Sequence, residues 1–321
     1  MENLVNTLLP MFGTILLGAL AKYLNLLKAE DSATINKFVY FIAFPSLLFV
    51  VLARSPIEDI FYWPFINAWG SSLFITFGLT TIICILWKSK LGETALNSLN
   101  TTCSNTGFIG VFIIITIYDQ QSAVAAITAT AFLVIIVISL VIFLLEQGTE
   151  KELTALQISQ KIIISLSRNP LMIGATLGII SALLGTLPQP VEKMFDVLGF
   201  SAIPLSLFAL GSFFAGQKTS DIKQNLSTIN LLIFIKLIIH PVIAWILVTY
   251  IFSLDPKWAA ITIILAPLPP ATTCFVLAQR YDTCVSQTAS MIILSTLYSI
   301  ITLPIVLLCL LYTSPSPRDR G

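Results

Sequence analysis

The chain has 321 residues, of which 56% are hydrophobic and 10% charged, with a formal net charge of +1 and a mean hydropathy of +0.93. A soluble domain carries roughly 25% charged residues, so most of this chain is solvated by lipid. A net charge of +1 gives no basis for nucleic-acid binding, and the five cysteines have neither a CxxC nor a metal-ligand spacing to the single histidine, so they read as small packing residues.

Apolar runs of about 20 residues, the length that crosses a hydrocarbon core of about 30 Å, predict spans over Leu4–Leu26, Ser32–Ala53, Pro64–Trp87, Ala95–Tyr118 and Ser122–Leu145. Five more follow over Pro170–Leu187, Val191–Ala215, Leu226–Phe252, Trp258–Gln279 and Cys284–Leu308. The first run follows Met1-Glu2-Asn3, which lacks the basic region of a cleavable signal. Ala43-Phe44-Pro45-Ser46-Leu47-Leu48-Phe49 returns as Ala202-Ile203-Pro204-Leu205-Ser206-Leu207-Phe208, and Pro10 and Gly18 return as Pro170 and Gly178. The offset is half the chain, five spans to a copy, and an odd number of spans makes the second copy enter from the opposite face. The expected fold class is therefore an all-α membrane protein of ten transmembrane helices in a 5+5 inverted repeat: residues 1–146, a connecting loop 147–169, and residues 170–308.

Lys22, Lys28, Lys37, Lys88, Lys90, Lys151, Lys161, Arg168, Lys218, Lys223 and Arg280 fall on one side under this count; Arg54, Lys193 and Lys257 mark the other. The excess of positive charge belongs in the cytoplasm, which puts both termini outside. In the connecting loop, Leu153, Leu156, Ile163 and Leu166 have the spacing of an amphipathic segment lying on the membrane surface. The stretch Cys309–Asp319 resembles one translated reading frame of a sequencing adapter. Residues 309–321 are therefore left out of the functional reading, and Arg318 and Arg320 carry no topology signal.

Two corresponding spans are interrupted. The fourth carries Ser104-Asn105-Thr106-Gly107 and then Gly110; the ninth carries Pro267, Pro269 and Pro270, then Thr272 and Thr273. Backbone breaks at mid-depth are tolerated where they line a cavity, and half-helix N-termini aimed at the midplane favour an anion. The bland reading, proline and glycine kinks, also fits each break taken singly. Lys236 lies about ten residues into the eighth span with no acidic residue at comparable depth, so its candidate partner is an anionic solute; snorkelling or a carbonyl bond is the competing reading. His240, one turn on and just before Pro241, reads as a packing residue bonded to backbone rather than a proton carrier.

Together these features make Ser104, Asn105, Thr106, Gly107, Lys236, Pro269, Pro270, Thr272 and Thr273 the candidate substrate-binding residues, with Pro45, Pro204 and Gly110 as scaffold or hinge positions. No metal or organic cofactor is implied. Asn105, Thr106, Thr128, Thr130 and Ser295 leave a sodium coupling ion open as the runner-up. An intramembrane enzyme is the contrasting class. It lacks support: the chain has no HExxH, no paired intramembrane aspartates, and in Gly199-Phe200-Ser201-Ala202 only half a rhomboid-type serine motif.

Asn105-Thr106-Gly107-Phe108-Ile109-Gly110, Arg168-Asn169-Pro170-Leu171, Ala266-Pro267 through Ala278-Gln279-Arg280-Tyr281, and Ser295-Thr296-Leu297 through Leu303-Pro304 resemble the auxin efflux carrier family. That family includes plant auxin exporters and bacterial malonate-transporter-like permeases, and the short central loop resembles the bacterial branch. The resemblance runs to about Leu308. It implies a fold shared with bile-acid sodium symporters and sodium/proton antiporters, in which the fourth and ninth spans cross. It also implies a scaffold domain containing spans two and seven, a mobile crossover domain, elevator-like transport, homodimers and a plasma-membrane (bacterial inner-membrane) location. Family members often have a proline shortly after the segment matching Gly107–Gly110, where this chain has Val111-Phe112. Gly107 and Gly110 are accordingly expected to supply the flexibility of a softer break.

Overall fold

The computed structural model describes residues 2–147, 155–185, 187–216 and 226–313. Leu153, Lys151, Lys218, Lys223 and the adapter-like residues from 314 onward lie outside the described residues. Among those described, regular structure is helical throughout, with one isolated β-bridge. In chain order the helices are α1 (Glu2–Tyr23), α2 (Ala29–Phe38), α3 (Phe44–Arg54), the single turn α4 (Ile57–Ile60), α5 (Trp63–Leu86), α6 (Leu91–Thr102), α7 (Val111–Ile117), α8 (Ala123–Phe132) and α9 (Ser139–Gln147). They continue as α10 (Ala155–Ser167), α11 (Pro170–Leu184), α12 (Gln189–Phe200), α13 (Ala202–Ala215), α14 (Leu226–Phe234), α15 (His240–Ile246), α16 (Pro256–Leu265), α17 (Thr273–Arg280) and α18 (Val285–Thr313).

Six described helical runs are long and apolar enough to cross a membrane, and a seventh is added if α10 and α11, bent by 64° at Arg168-Asn169, are taken as one. Leu8–Tyr23, Thr106–Ile117 and Pro256–Leu265 are apolar but shorter. Continuity through several long runs depends on wide π-type turns. Two of them, Val39–Ala43 and Ile235–Ile239, lie just before Pro45 and Pro241. A proline has no N–H to give and crowds the carbonyl four residues back, so the preceding turn opens and Phe44 and His240 instead bond to Val39 and Ile235, five residues back. Lys236 therefore sits in a widened turn created by Pro241.

The chain divides into two compact units. One comprises Met1–Asn6, Trp63–Asn105 and Thr219–Gly321; the other comprises Thr7–Tyr62 and Thr106–Lys218. The second is built on glycines. A Cβ on Gly18 would run into the Phe208 carbonyl, and one on Gly178 would lie 2.7 Å from the Phe49 carbonyl. These are the repeated residues: Gly18 corresponds to Gly178 and Phe49 to Phe208, so each copy's glycine packs on the other copy's phenylalanine. Gly174 lies against the Pro45 backbone, Gly199 against Leu47 and Gly211 against the Ile15 carbonyl. Small residues let helix backbones approach within dispersion contact where lipid gives no hydrophobic driving force between helices. At one end of this unit Arg54 pairs with Glu192 (2.5 Å) and, through Nη1, with Asp196 Oδ1 (2.8 Å), tying α3 to α12.

Candidate functional site

The first unit holds the break of the fourth span and the break of the ninth, and each satisfies the other. After α6 the chain turns extended at Cys103, and Ser104 faces Pro270 in an antiparallel bridge. The Asn105 N–H donates to the Pro269 carbonyl (2.9 Å) and the Ala271 N–H to the Cys103 carbonyl (3.3 Å). Three prolines in four residues, Pro267, Pro269 and Pro270, end α16 because they cannot continue its ladder, and the carbonyl groups they release are available to the facing strand-like segment. Ser104, Asn105, Pro269 and Pro270 are thus brought together as the sequence indicates, all of them buried. Thr272, half-buried, and Thr273, exposed, follow directly at the start of α17.

Lys236 joins this group from the widened turn. Its side chain is fully buried, and Nζ donates to Ser104 Oγ (2.6 Å), to His240 Nδ1 (3.2 Å) and to the carbonyl of Thr102, the last residue of α6 (3.3 Å). Ser104 Oγ in turn donates a hydrogen bond to the Ala266 carbonyl (3.3 Å). The other ring nitrogen of His240, Nε2, lies 3.4 Å from Ser72 Oγ, and the imidazole also bonds the Ala266 backbone. Ser72 in turn donates to the Trp69 carbonyl (2.7 Å), and the Trp69 ring packs on the imidazole with centroids 5.9 Å apart. His240 is accordingly a packed residue bonded to backbone, as expected, and to Lys236 as well; Lys236 does not snorkel but bonds a carbonyl, a hydroxyl and the imidazole.

Thr106 and Gly107 fall in the other unit. The Thr106 hydroxyl bonds the Thr130 hydroxyl (2.7 Å), and a Cβ on Gly107 would strike the Phe44 ring, which also packs on Phe108 (4.6 Å between centroids). The break itself lies at Cys103–Asn105, upstream of both glycines. Gly107 makes room for an aromatic ring, whereas the expectation was that it supplies flexibility. Gly110 is buried and begins α7; Pro45 lies under Gly174, and Pro204 is exposed.

Sequence reasoning passed over a polar seam beside the breaks. Gln287 Nε2 donates to Asn97 Oδ1 (2.8 Å) and Asn100 Nδ2 to Thr288 Oγ1 (2.9 Å), pairing residues about one turn apart on α6 with adjacent residues on α18. Thr80 bonds Thr101 (2.8 Å), and Asn100 Oδ1 finds no partner among the described residues. The signal was present: Asn97, Asn100 and Thr101 recur at helical spacing within a span, where buried polar residues are expensive. Among the described residues no group of three His, Cys, Asp or Glu could hold a metal ion.

Two mutually bonded helix breaks and a buried lysine thus lie together among apolar helices. A family model for membrane transport proteins matches residues 3–307. The chain belongs to this membrane transport family, that of the auxin efflux carriers. Among its relatives, a Rhizobium meliloti protein named "Putative malonate transporter" is 26% identical over 99% of each chain. An "Uncharacterized transporter" of Methanothermobacter thermautotrophicus is 26% identical over 93% of this chain and 96% of its own. The Escherichia coli K12 "Uncharacterized transporter YfdV" is 23% identical over 94% and 96%. Family membership makes the protein an integral membrane transporter.

Proposed function

We propose that this transporter carries small organic anions, mono- or dicarboxylates from malonate size to an aromatic acid, by elevator-like alternating access. The observation that carries this reading is the buried Lys236 ammonium behind Ser104. No carboxylate neutralises it: the described acidic residues of its unit beyond the N-terminal segment, Glu93, Asp255 and Asp282, are in loops or at helix ends. A net positive interior beside broken backbone attracts an anion by charge even where the ammonium makes no direct contact. The malonate in the name of the Rhizobium relative is a dicarboxylate of this class.

The reading places the protein in the plasma membrane, as a homodimer, with ten spans in an inverted repeat and both termini outside. The exchanged Gly18–Phe208 and Gly178–Phe49 contacts support the repeat, and the presence of spans two and seven in the glycine-packed unit supports that unit as scaffold. The runner-up, sodium-coupled symport, draws on the paired hydroxyls of Thr106 and Thr130. Collapsing a sodium gradient at fixed membrane potential separates the two.

The test is uptake of a labelled acid panel into proteoliposomes, with Asn105→Leu as the informative variant. Asn105 is 4% exposed and bonded through its backbone to Pro269, so the substitution keeps that bond and removes only the amide. Transport should fall to background while the protein still inserts and elutes as wild type. Transport confined to cations or neutral solutes would sink the proposal, as would wild-type rates in Asn105→Leu.

A further inference from the structure

The ammonium of Lys236 has three N–H groups, and the structure accounts for all three: Ser104 Oγ, the Thr102 carbonyl and His240 Nδ1. None remains for a solute. The acceptors are of a particular kind. Thr102 contributes a carbonyl released where α6 ends, Ser104 contributes a hydroxyl from the extended break, and the Ala266 carbonyl, where α16 ends, lies one hydrogen bond further through Ser104. Unwound carbonyls and hydroxyls at broken membrane helices are the donor set that a monovalent inorganic cation takes.

We propose that Lys236 is a tethered cation: its ammonium fills the cation position of the crossover, so that neither Na+ nor K+ binds there or is needed for the fold of the breaks. This proposal rests on the family assignment and not on the substrate class.

Charge and geometry point the same way. The end of a helix carries partial negative charge on its last carbonyls, and the ammonium sits on the last carbonyl of α6. It also holds Ser104, the residue whose backbone pairs with Pro270, so a single charge fixes both broken spans. A second monovalent cation placed 4 Å from this ammonium, with no carboxylate between them, would bind on the order of a thousandfold more weakly at an effective dielectric constant near 20. Lys236 is thus a positioning residue that holds the two breaks together.

The experiment is a thermal-shift titration of the purified full-length protein in detergent, at constant ionic strength, with NaCl, KCl or choline chloride. The wild-type midpoint should be the same in all three. Lys236→Ala should lower the midpoint, and propylammonium, which replaces the atoms removed, should restore it saturably where tetramethylammonium does not. A saturable, Na+-specific rise in the wild-type midpoint overturns the proposal. So does a Lys236→Ala protein with the wild-type midpoint and no response to propylammonium. If Lys236→Ala does not accumulate, the wild-type titration decides alone. A wild-type protein that ignores every carboxylate in the same assay would count against the anion reading and leave this result standing.

Discussion

In the glycine-packed unit, helices meet where side chains are missing; in the unit around Lys236, they meet where side chains bond to one another. Gly18, Gly174, Gly178, Gly199 and Gly211 each bring a helix onto a neighbour's backbone. Asn97, Asn100, Thr101, Ser104, Lys236 and His240 instead fill the space between helices with polar groups that bond to one another, Asn100 Oδ1 excepted. The first arrangement is steric, indifferent to charge, and rigid because no atom can be added. The second accommodates changes of shape but not the loss of a partner, because an unmet polar group in lipid has no water to turn to.

The largest expected effect lies in the steric unit. Gly211→Val would force a side chain into the Ile15 carbonyl and destabilise the protein by about 3 kcal/mol or more. Gly13 lies in the same unit with nothing within 4 Å of its missing Cβ, and Gly13→Ala should stabilise by roughly 0.5–1 kcal/mol through helix propensity. Equal effects of the two, measured by denaturation in detergent, would break the comparison.

An intermediate effect belongs to the polar unit. Ser104→Ala removes one oxygen and hardly any volume, yet leaves a buried ammonium one acceptor short, at a cost of about 1–3 kcal/mol. The effect should be the same at low and high salt, since the group is out of reach of screening ions. A Ser104→Ala protein as stable as wild type would mean that the hydroxyl is a spectator and that the unit is held by shape after all.

The sequence carried the broken spans because proline and glycine act locally: Pro267, Pro269 and Pro270 end α16 whatever surrounds them. The same glycine and phenylalanine positions recur in the sequence, but only the structure reveals that Gly18 packs on Phe208 and Gly178 on Phe49. The sequence placed the break of the fourth span at Ser104–Gly107 but held no sign that the break begins at Cys103 in an extended backbone. Cys103 and Ser104 have no intrinsic preference for an extended backbone, and their conformation follows from bonds to Pro269, Pro270 and Ala271, more than 160 residues away. The partners of Lys236 were hidden for the same reason. One is a backbone carbonyl, which no side-chain pattern encodes, and another, His240, is aligned by a π-type turn whose cause, Pro241, lies beyond both residues.

The smallest expected effect lies at the edge of the polar unit and changes reactivity rather than stability. Cys284 precedes α18 with a left-handed backbone (φ 51°), and burial pushes its thiol up to about 11, with the charges of Glu93 and Cys84 adding to the shift. Maleimide attacks through the thiolate, so below that value the labelling rate should rise about tenfold per pH unit, roughly a hundredfold between pH 7 and pH 9. A Cys309→Ser background removes the exposed competitor, while Cys84, Cys103 and Cys274 are buried. Glu93→Gln should then speed labelling of Cys284 at pH 8 by less than removing the burial would, because burial is the larger cause. A rate that levels off near pH 8.5 would place the thiol in water and the N-terminal end of α18 outside the packed polar unit. A rate still climbing at pH 10 keeps it inside, where helices are joined by bonds between side chains and a charge is felt because little water screens it.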